Sequence, residues 1–255
     1  MRSPEALRGL VESYLGELAL TPQLGGLAES MRYALLGGKR IRPVLCLATG
    51  EAAGAEVEAV LPAAAALEFV QAFSLVHDDL PALDDDAVRR GRPSTHVEFG
   101  EAVAVIAGDA LLAEAFRLAL AYPTPAVAGE LAGATLGMIG GQYLDVTGQH
   151  GDRARLDRLK TGCLFDAAVG CALWVAEVPE LEQGPWRAFG AELGPIFQLV
   201  DDILDGDGVV LSHGEEEARS LAEQATERAL ARLEAVEADT SVLAEIVAGL
   251  AVRTS

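Results

Sequence analysis

Apolar residues recur at spacings of three and four through most of the chain, and no segment alternates for long between apolar and polar positions. Such spacing places apolar side chains on one face of an α-helix, whereas alternation would indicate a strand. The pattern therefore predicts an all-α protein. We place helices near residues 4–20, 24–36, 43–54, 57–80, 100–121, 125–147, 153–178, 184–205, 214–237 and 239–251.

The segment 57–80 differs from the other predicted helices because it is apolar on nearly all sides. This is typical of a central helix that is buried by several neighbours. Gly37 and Gly38 can end the helix before them, and Pro43 can begin the next one. The chain contains no linker-like tract and no internal repeat. We therefore expect residues 1–255 to form a single domain of about ten helices.

The composition excludes several kinds of partner. The formal net charge is −20, whereas nucleic acids and anionic membranes bind basic surfaces. No apolar run reaches the roughly 18 residues of a membrane span, and the N-terminal residues lack the apolar region of a secretory signal. We therefore expect a cytoplasmic protein without a membrane span.

The rare residue types add two observations. Cys46, Cys163 and Cys171 lie in apolar surroundings, and an odd number of such cysteines predicts buried reduced thiols. Of the 19 basic residues only Lys39 and Lys160 are lysines. Both lysines fall within motifs described below.

A first acidic cluster, H-D-D-L-P-A-L-D-D-D at residues 77–86, ends the apolar segment. Pro81 is expected to stop the helix just before it. Carboxylates at a helix C-terminus are repelled by the helix dipole and by one another. A Mg²⁺ ion with carboxylate and phosphate ligands would offset this repulsion. The alternative for this cluster alone is a solvated acidic loop.

A second acidic cluster, F-Q-L-V-D-D-I-L-D at residues 197–205, ends another apolar helix. Asp201 and Asp205 are spaced i, i+4, and Gln198 lies on the adjoining ridge of the helix. Carboxylates on an apolar helix are costly to bury unpaired. The two clusters can therefore face each other across a cavity and hold several metal ions.

Three basic segments supply complementary charge. G-G-K-R-I-R-P at residues 37–43 precedes a predicted helix N-terminus, which is a suitable site for a diphosphate. R-R-G-R at residues 89–92 follows the first acidic cluster, and K-T-G at residues 160–162 interrupts a long helix in a way that can expose a carbonyl group. Each segment alone is also compatible with a helix cap or a charge-balancing loop. Their joint occurrence with the two acidic clusters favours a metal-dependent diphosphate site.

Together these motifs resemble the trans-prenyl diphosphate synthases (polyprenyl synthetases), most closely the short-chain bacterial enzymes that make farnesyl or geranylgeranyl diphosphate. The resemblance runs from about Met31 to Asp205 and depends on the combination of all the motifs. It implies the isoprenoid synthase fold, which is an all-α, single-domain bundle of about ten helices around a central cavity. It also implies a homodimer.

The resemblance further implies a role for each matching residue. Isopentenyl diphosphate would be held by Lys39, Arg42, Gln71 and Arg90. Three Mg²⁺ ions, for which Mn²⁺ can substitute, would be bound by Asp78, Asp84 and Asp201 with support from Asp79, Asp202 and Asp205. The allylic diphosphate would contact Arg89, Lys160 and Gln198, and the carbonyl of Thr161 would lie near the developing cation. The implied catalytic set is Asp78, Asp79, Asp84, Arg89, Lys160, Thr161, Gln198, Asp201 and Asp202.

The implied reaction joins isopentenyl diphosphate to dimethylallyl or geranyl diphosphate through an allylic carbocation. Phe73 precedes Asp78 by five residues, which is about 7.5 Å along a helix. In the family a bulky aromatic residue at this position stops chain growth at fifteen carbons. Phe73 is therefore expected to bind the growing chain, which favours farnesyl diphosphate as the product, with geranylgeranyl diphosphate as the alternative.

One region departs from the family pattern. Where the family has a loop with several lysines, this chain has only G-D-G-V-V-L-S-H-G at residues 206–214 before the next helix. This leaves open weaker diphosphate binding, a substitute donor such as Arg219, or a catalytically impaired partner subunit. A class I terpene cyclase fits less well because its second metal motif mixes Asn, Ser or Thr with Glu. A metal-binding or scaffolding helical protein is the last alternative.

Overall fold

The computed structural model describes residues 1–149 and 152–252, and within them it confirms the all-α prediction. Ten of the helices in this part of the chain have nine or more residues, in agreement with the predicted number. The helices are α1 (Pro4–Glu17), α2 (Leu27–Leu35), α3 (Ile41–Ala52), α4 (Val57–Asp78), α5 (Thr95–Phe99), α6 (Glu101–Ala119), α7 (Ala126–Val146), α8 (Arg153–Asp157), α9 (Cys163–Val175), α10 (Gly184–Asp205), α11 (Gly208–His213), α12 (Glu215–Leu233) and α13 (Ser241–Ala251).

Several short elements differ from the predicted helices. The break that the sequence predicts at residues 160–162 is one π-helical turn, Arg158–Gly162, which joins α8 to α9. The short helices α5 and α11 were not predicted, and neither was a small antiparallel hairpin of β1 (Val88–Arg89) and β2 (Arg92–Pro93). Short 3₁₀ turns at Pro22–Leu24 and Glu180–Glu182 complete the connections.

The long apolar helix α4 forms the centre of the bundle, as its sequence predicts. It packs against α3, α6 and α9, and its buried side chains include Leu67, Phe69 and Val70. By length and composition α4 could cross a membrane, but 67% of its most apolar stretch is buried inside the protein. The apolar composition of α4 is therefore explained by its place in the core. One cluster of buried side chains connects α1 to α13, while the single-domain organisation of residues 1–255 stays a prediction.

A tyrosine hydroxyl supports α4 near its internal proline, Pro62. Tyr122 Oη accepts a hydrogen bond from the Ala63 amide (3.0 Å) and donates one to the Ala59 carbonyl (2.7 Å). These two groups are the donor and acceptor of one regular helical hydrogen bond. The hydroxyl thus keeps both backbone groups satisfied where the helix ladder is interrupted.

The chain enters α3 through a buried arginine. Arg40 has a left-handed backbone (φ 55°) and is 3% exposed. Its guanidinium forms ion pairs with Glu12 (2.9 Å) and with the buried Glu68. Removing one partner of such a pair would leave a buried charge uncompensated. Arg40 therefore holds the G-G-K-R-I-R-P segment in place from within the core.

The cysteine prediction is confirmed for two of the three residues. Cys46 and Cys171 are buried free thiols. Cys163, at the start of α9, is free but only half-buried. It lies against Gly137 of α7, which has no side chain to cover it.

Candidate active site

A cavity of about 670 Å³ lies among α3, α4, α7, the π-helical turn and α10. Its wall combines the carboxylates of Asp78 and Asp201, the cations of Arg42, Arg89 and Lys160, the polar side chains of Gln71 and Thr161, and the apolar side chains of Phe73, Met138 and Phe197. Each of the two acidic clusters and each of the three basic segments therefore contributes at least one side chain to the wall of this cavity. The convergence of Asp78 and Asp201 is the arrangement that the sequence predicts.

Close helix packing fixes the position of Lys160 and Thr161. A Cβ atom at Gly194 of α10 would lie 2.6 Å from the Cα atom of Gly162, and one at Gly141 of α7 would lie 2.8 Å from the Lys160 amide nitrogen. Only glycine allows the two helices to approach the π-helical turn this closely. The turn is held between them, and Lys160 and Thr161 lie on the cavity wall.

Asp78 is the last residue of α4 and is partly buried in the cavity wall. Burial raises the pKa of its carboxyl group above the ordinary value, a hydrogen bond from Ser74 and the charge of Lys160 lower it, and the charges of Asp84 and Asp79 raise it further. The Ser74 hydroxyl lies 3.1 Å from Asp78 Oδ2. The ionised form of Asp78 is therefore disfavoured in this structure, and additional positive charge nearby would stabilise it.

The second aspartate of each D-D pair is turned away from the cavity. Asp79 is 2% exposed, and its Oδ1 accepts hydrogen bonds from Arg89 Nε (2.8 Å) and Nη2 (2.5 Å). Asp202 is 1% exposed and is bound on a side of α10 that faces away from the cavity. Asp78 and Asp201 thus line the cavity, while Asp79 and Asp202 bind neighbouring protein groups.

Other residues of the implied site lie outside the cavity wall. Asp84 and Asp205 are exposed, although the Asp84 amide donates to the Asp78 carbonyl (2.9 Å). Lys39 is exposed and lines a separate depression between α1, α3 and α13. Arg90 donates to the Gly37 carbonyl (2.9 Å) and faces Glu68 (3.4 Å). The structure therefore does not bring these four side chains to the cavity wall.

Gln198 and Arg219 also lie away from the cavity. The Gln198 amide oxygen accepts a hydrogen bond from Thr161 Oγ1 (3.2 Å). Gln198 thus contacts a residue of the cavity wall without lining the cavity itself. Arg219, the suggested substitute donor, is exposed and binds Glu215 of its own helix (2.6 Å). Arg219 therefore does not compensate for the missing lysines in this structure.

Arg42 reaches the cavity across two aromatic rings. Its guanidinium carbon lies 4.5 Å from the ring centre of Phe165 and 5.4 Å from that of Phe197. Stacking on aromatic faces holds an arginine without consuming its charge. The two rings thus orient the Arg42 guanidinium in the cavity wall, which Gln71 also lines.

Two polar residues of α7 were missed in the sequence. Gln142 lines the cavity, and Asp145 forms an ion pair with Lys160. A possible signal was their spacing of i, i+3 within the otherwise apolar segment 138–146. Polar side chains at that spacing share one helix face, which here is the face towards the π-helical turn.

The carboxylates fit a divalent cation that completes its coordination with substrate. Among the described residues, no three His, Cys, Asp or Glu side chains converge on one point. Mg²⁺ does not require such a cage, because it usually binds one or two carboxylates together with waters and phosphate oxygens. Asp78 and Asp201 in the cavity wall, with Asp84 near Asp78, provide this type of donor set.

The chain is similar to known proteins along most of its length. Residues 25–246 match the family described as Polyprenyl synthetase. The chain is 41% identical over 194 residues to the geranylgeranyl diphosphate synthase of Cyanophora paradoxa, a match that covers 69% of this chain and 64% of that protein. It is 42% identical over 200 residues to the farnesyl diphosphate synthase of Haemophilus influenzae, covering 71% of this chain and 67% of that protein.

A solved structure supports the same assignment. The crystal structure of an FPP/GFPP synthase from Zymomonas mobilis superposes with a TM-score of 0.85 at 32% identity, and the match covers 98% of this chain and 96% of that one. The matched part of the chain spans only about two thirds of the length of the two curated relatives. The matches to the family and to its solved structure nevertheless cover most of this chain, and we conclude that the chain belongs to the polyprenyl synthetase family.

Proposed function

We propose that this protein is a Mg²⁺-dependent trans-prenyltransferase that condenses isopentenyl diphosphate with dimethylallyl or geranyl diphosphate to give farnesyl diphosphate. The supporting observation is that Asp78 and Asp201 share one cavity wall with Arg89, Lys160 and apolar side chains. Charged groups can bind a diphosphate there, and apolar groups can bind a hydrocarbon chain. Geranylgeranyl diphosphate is the alternative product because relatives of both kinds match the chain.

The residues of the cavity would act mainly on the diphosphate and the cation. Bound Mg²⁺, held by Asp78 and Asp201 with Asp84 nearby, would neutralise charge on the leaving diphosphate. Arg89 and Lys160 would bind the diphosphate oxygens. The allylic C–O bond breaks with its electron pair staying on the diphosphate, and the isopentenyl double bond forms the new C–C bond. The condensation leaves a tertiary carbocation, which loses a proton to form the double bond of the product, and the released diphosphate is the proposed proton acceptor.

The apolar part of the wall would protect the cation. Phe73 is 9% exposed, lines the cavity, and contacts His77 edge-to-face with ring centres 5.1 Å apart. Apolar walls keep water from capturing a carbocation before the new bond forms. The Phe73 ring also limits the space in the apolar part of the cavity, which supports a product of fifteen carbons.

Incubation with isopentenyl diphosphate, each allylic primer and Mg²⁺, followed by determination of product length, tests this function. We expect farnesyl diphosphate from either primer and none when the divalent ions are chelated. Folded wild-type protein that elongates no primer would favour the alternative of a catalytically impaired partner subunit. The missing lysine loop is the observation behind that alternative.

We further propose a homodimer, on the basis of an exposed apolar face on α7. Leu136 (70% exposed), Ile139 (47%), Tyr143 (61%) and Val146 (61%) follow one another at intervals of three or four residues, and the last three of them also line the cavity. A second subunit covering this face would remove it from water. Light scattering of the wild type and of Leu136→Glu tests the proposal, because we expect the variant to become monomeric. A monomeric wild type would contradict it.

We also propose a cytoplasmic location, on the basis of the net charge and of the buried helix α4. The net charge of −20 disfavours binding to anionic membranes, and α4 is mostly buried. Both observations support a cytoplasmic enzyme. Cell fractionation with an antibody to the protein tests this proposal, and recovery in the membrane pellet would contradict it.

A further inference from the structure

Asp202 and Gln198 lie on the side of α10 that faces away from the cavity. They border a second depression of about 550 Å³ that is also lined by side chains of α8, α9 and α11. Asp202 is 1% exposed. A buried carboxylate is costly unless it is paired and hydrogen-bonded, so the groups around Asp202 indicate its role.

Both oxygens of Asp202 have defined partners. Oδ1 accepts a hydrogen bond from Gln198 Nε2 (2.9 Å) and lies 3.6 Å from Arg153 Nη2. Oδ2 accepts a hydrogen bond from the Val209 amide (2.9 Å). Gln198 Oε1 in turn accepts from Thr161 Oγ1 (3.2 Å). A continuous chain of hydrogen bonds therefore leads from α11 through Asp202 and Gln198 to Thr161 on the cavity wall.

The backbone after α10 is fitted closely to this carboxylate. Gly206 and Gly208 both have positive φ angles, 68° and 50°. A Cβ atom at Gly208 would overlap the Asp202 carboxylate, so no other residue fits there without displacement. The segment that replaces the family's lysine loop is thus anchored on Asp202.

We propose that Asp202 is a positioning residue and not a metal ligand. Its carboxylate fixes the segment 206–213 against α10, and through Gln198 it orients the Thr161 side chain at the cavity wall. The catalytic part of this inference rests on the proposed function, because it assumes that substrate binds beside Thr161. The structural part depends only on the hydrogen bonds.

The variant Asp202→Asn tests both parts. The substitution replaces one acceptor oxygen with a donor, and both groups that hydrogen-bond to Asp202 here are donors. We expect the Val209 amide proton to exchange with solvent about tenfold faster, the change that corresponds to losing about one net hydrogen bond. We expect kcat to fall about tenfold with little change in KM for isopentenyl diphosphate. The number of Mn²⁺ ions bound in the presence of inorganic diphosphate should equal that of the wild type.

A donor–acceptor exchange provides a rescue. In the double variant Gln198→Glu/Asp202→Asn, the amide nitrogen introduced at position 202 can donate to the carboxylate introduced at position 198. The amide oxygen at position 202 can accept from Val209, and Thr161 can still donate to position 198. The net charge is unchanged. We expect exchange at Val209 and kcat to recover to within about threefold of the wild type, as in a coupled pair. Gln198→Glu alone should be worse than the double variant, because two carboxylates would face each other.

Asp207→Asn is the matched control. Asp207 is exposed and its side chain makes no capping hydrogen bond to α11, so we expect wild-type exchange, metal binding and kcat. Loss of one Mn²⁺ in Asp202→Asn with unchanged exchange at Val209 would overturn the inference, and so would a double variant no better than Asp202→Asn. A wild type that binds no Mn²⁺ with diphosphate and makes no product would instead reject the proposed function. The exchange measurements would still decide the role of Asp202.

Discussion

The two sides of α10 use the same residue type for different purposes. Asp201 faces a cavity of about 670 Å³ whose cations come from distant segments of the chain. Asp202, the next residue, faces a depression of about 550 Å³ and is bound by protein groups close to it. Successive residues on a helix point about 100° apart, so one D-D pair serves both sides. Two neighbouring aspartates on one helix can therefore have different surroundings, a cavity on one side and closely packed protein groups on the other.

The same division occurs at the end of α4, with one difference. Asp78 lines the cavity and Asp79 is buried against Arg89. Arg89 itself lines the cavity. At this end of α4, the buried aspartate therefore holds a charged residue of the site in position. At α10 the buried aspartate instead holds the uncharged Gln198, which does not line the cavity but hydrogen-bonds to Thr161. Cavity carboxylates are thus expected to matter for turnover and buried ones for structure.

The largest effect is expected from Asp201→Asn, which changes the cavity side of α10. We expect turnover to fall by two to three orders of magnitude, about 3–4 kcal/mol of transition-state stabilisation. Stability of the metal-free protein should stay level or rise slightly, because repulsion among carboxylates is relieved. Steady-state product formation and urea unfolding measure the two quantities. A large loss of stability would show that Asp201 has a structural role.

A smaller effect is expected from Phe73→Ala, which enlarges the apolar part of the cavity. Removing the ring should allow chain growth beyond fifteen carbons, seen by chromatography of the products. We expect the free energy of unfolding to fall by about 3 kcal/mol, at the low end for a buried phenylalanine because the ring borders a cavity. Phe73→Leu is the control that keeps part of the volume. An unchanged product distribution would contradict the role of Phe73 in setting product length.

Asp166 of α9 is a third carboxylate whose surroundings can be tested, and it lines the second depression. Burial raises the pKa of its carboxyl group to about 6 from an ordinary value of 3.8, Glu130 raises it further, and Arg158 and Arg187 oppose the shift. Because the folded state holds this proton more tightly, stability falls as the pH rises from about 4 to about 6, and the cost persists above pH 6. Asp166→Asn should therefore be more stable than the wild type at pH 8, by about 1–2 kcal/mol after allowance for solvent screening.

Urea unfolding of the wild type and Asp166→Asn at several pH values measures this difference. The difference should shrink between pH 6 and pH 4 and vanish below the unfolded-state pKa. An advantage of the variant that is the same at pH 4 and pH 8 would contradict the explanation by ionisation.

The smallest effect is expected from Arg153→Gln at the edge of the same depression. The Arg153 side chain is 55% exposed and pairs with Asp157 (2.9 Å) and more distantly with Asp202 (3.6 Å). Exposed ion pairs contribute little, so we expect a loss of about 0.5 kcal/mol in urea unfolding. Arg155→Gln, at an exposed neighbouring position, is the matched control. A loss of several kcal/mol would mean that Asp202 depends on Arg153 more than on Val209 and Gln198.

Much of the fold was predictable because helix-forming patterns are local. The all-round apolar character of residues 57–80 predicts the central helix α4, and Pro81 lies three residues after its last residue, Asp78. The break at 160–162 was predicted as well. Its π-helical form was not predicted, because the turn packs closely against Gly141 of α7 and Gly194 of α10, and such long-range packing cannot be read from local spacing. The hairpin at Val88–Pro93 was missed because its strands have only two residues each.

The candidate site divides in the same way. Residue identity alone supplies the chemical groups: two aspartate pairs, a glycine-rich basic segment, K-T-G and a phenylalanine five residues before Asp78. These follow from residue identity and spacing along single helices. The packing of the helices was needed to show that Asp78 and Asp201 share a cavity, that Asp79 and Asp202 are buried against Arg89 and Val209, and that Lys39 lies in a separate depression. The reason is that helix packing and long-range hydrogen bonds choose the partner of each side chain, and neither is encoded in local spacing.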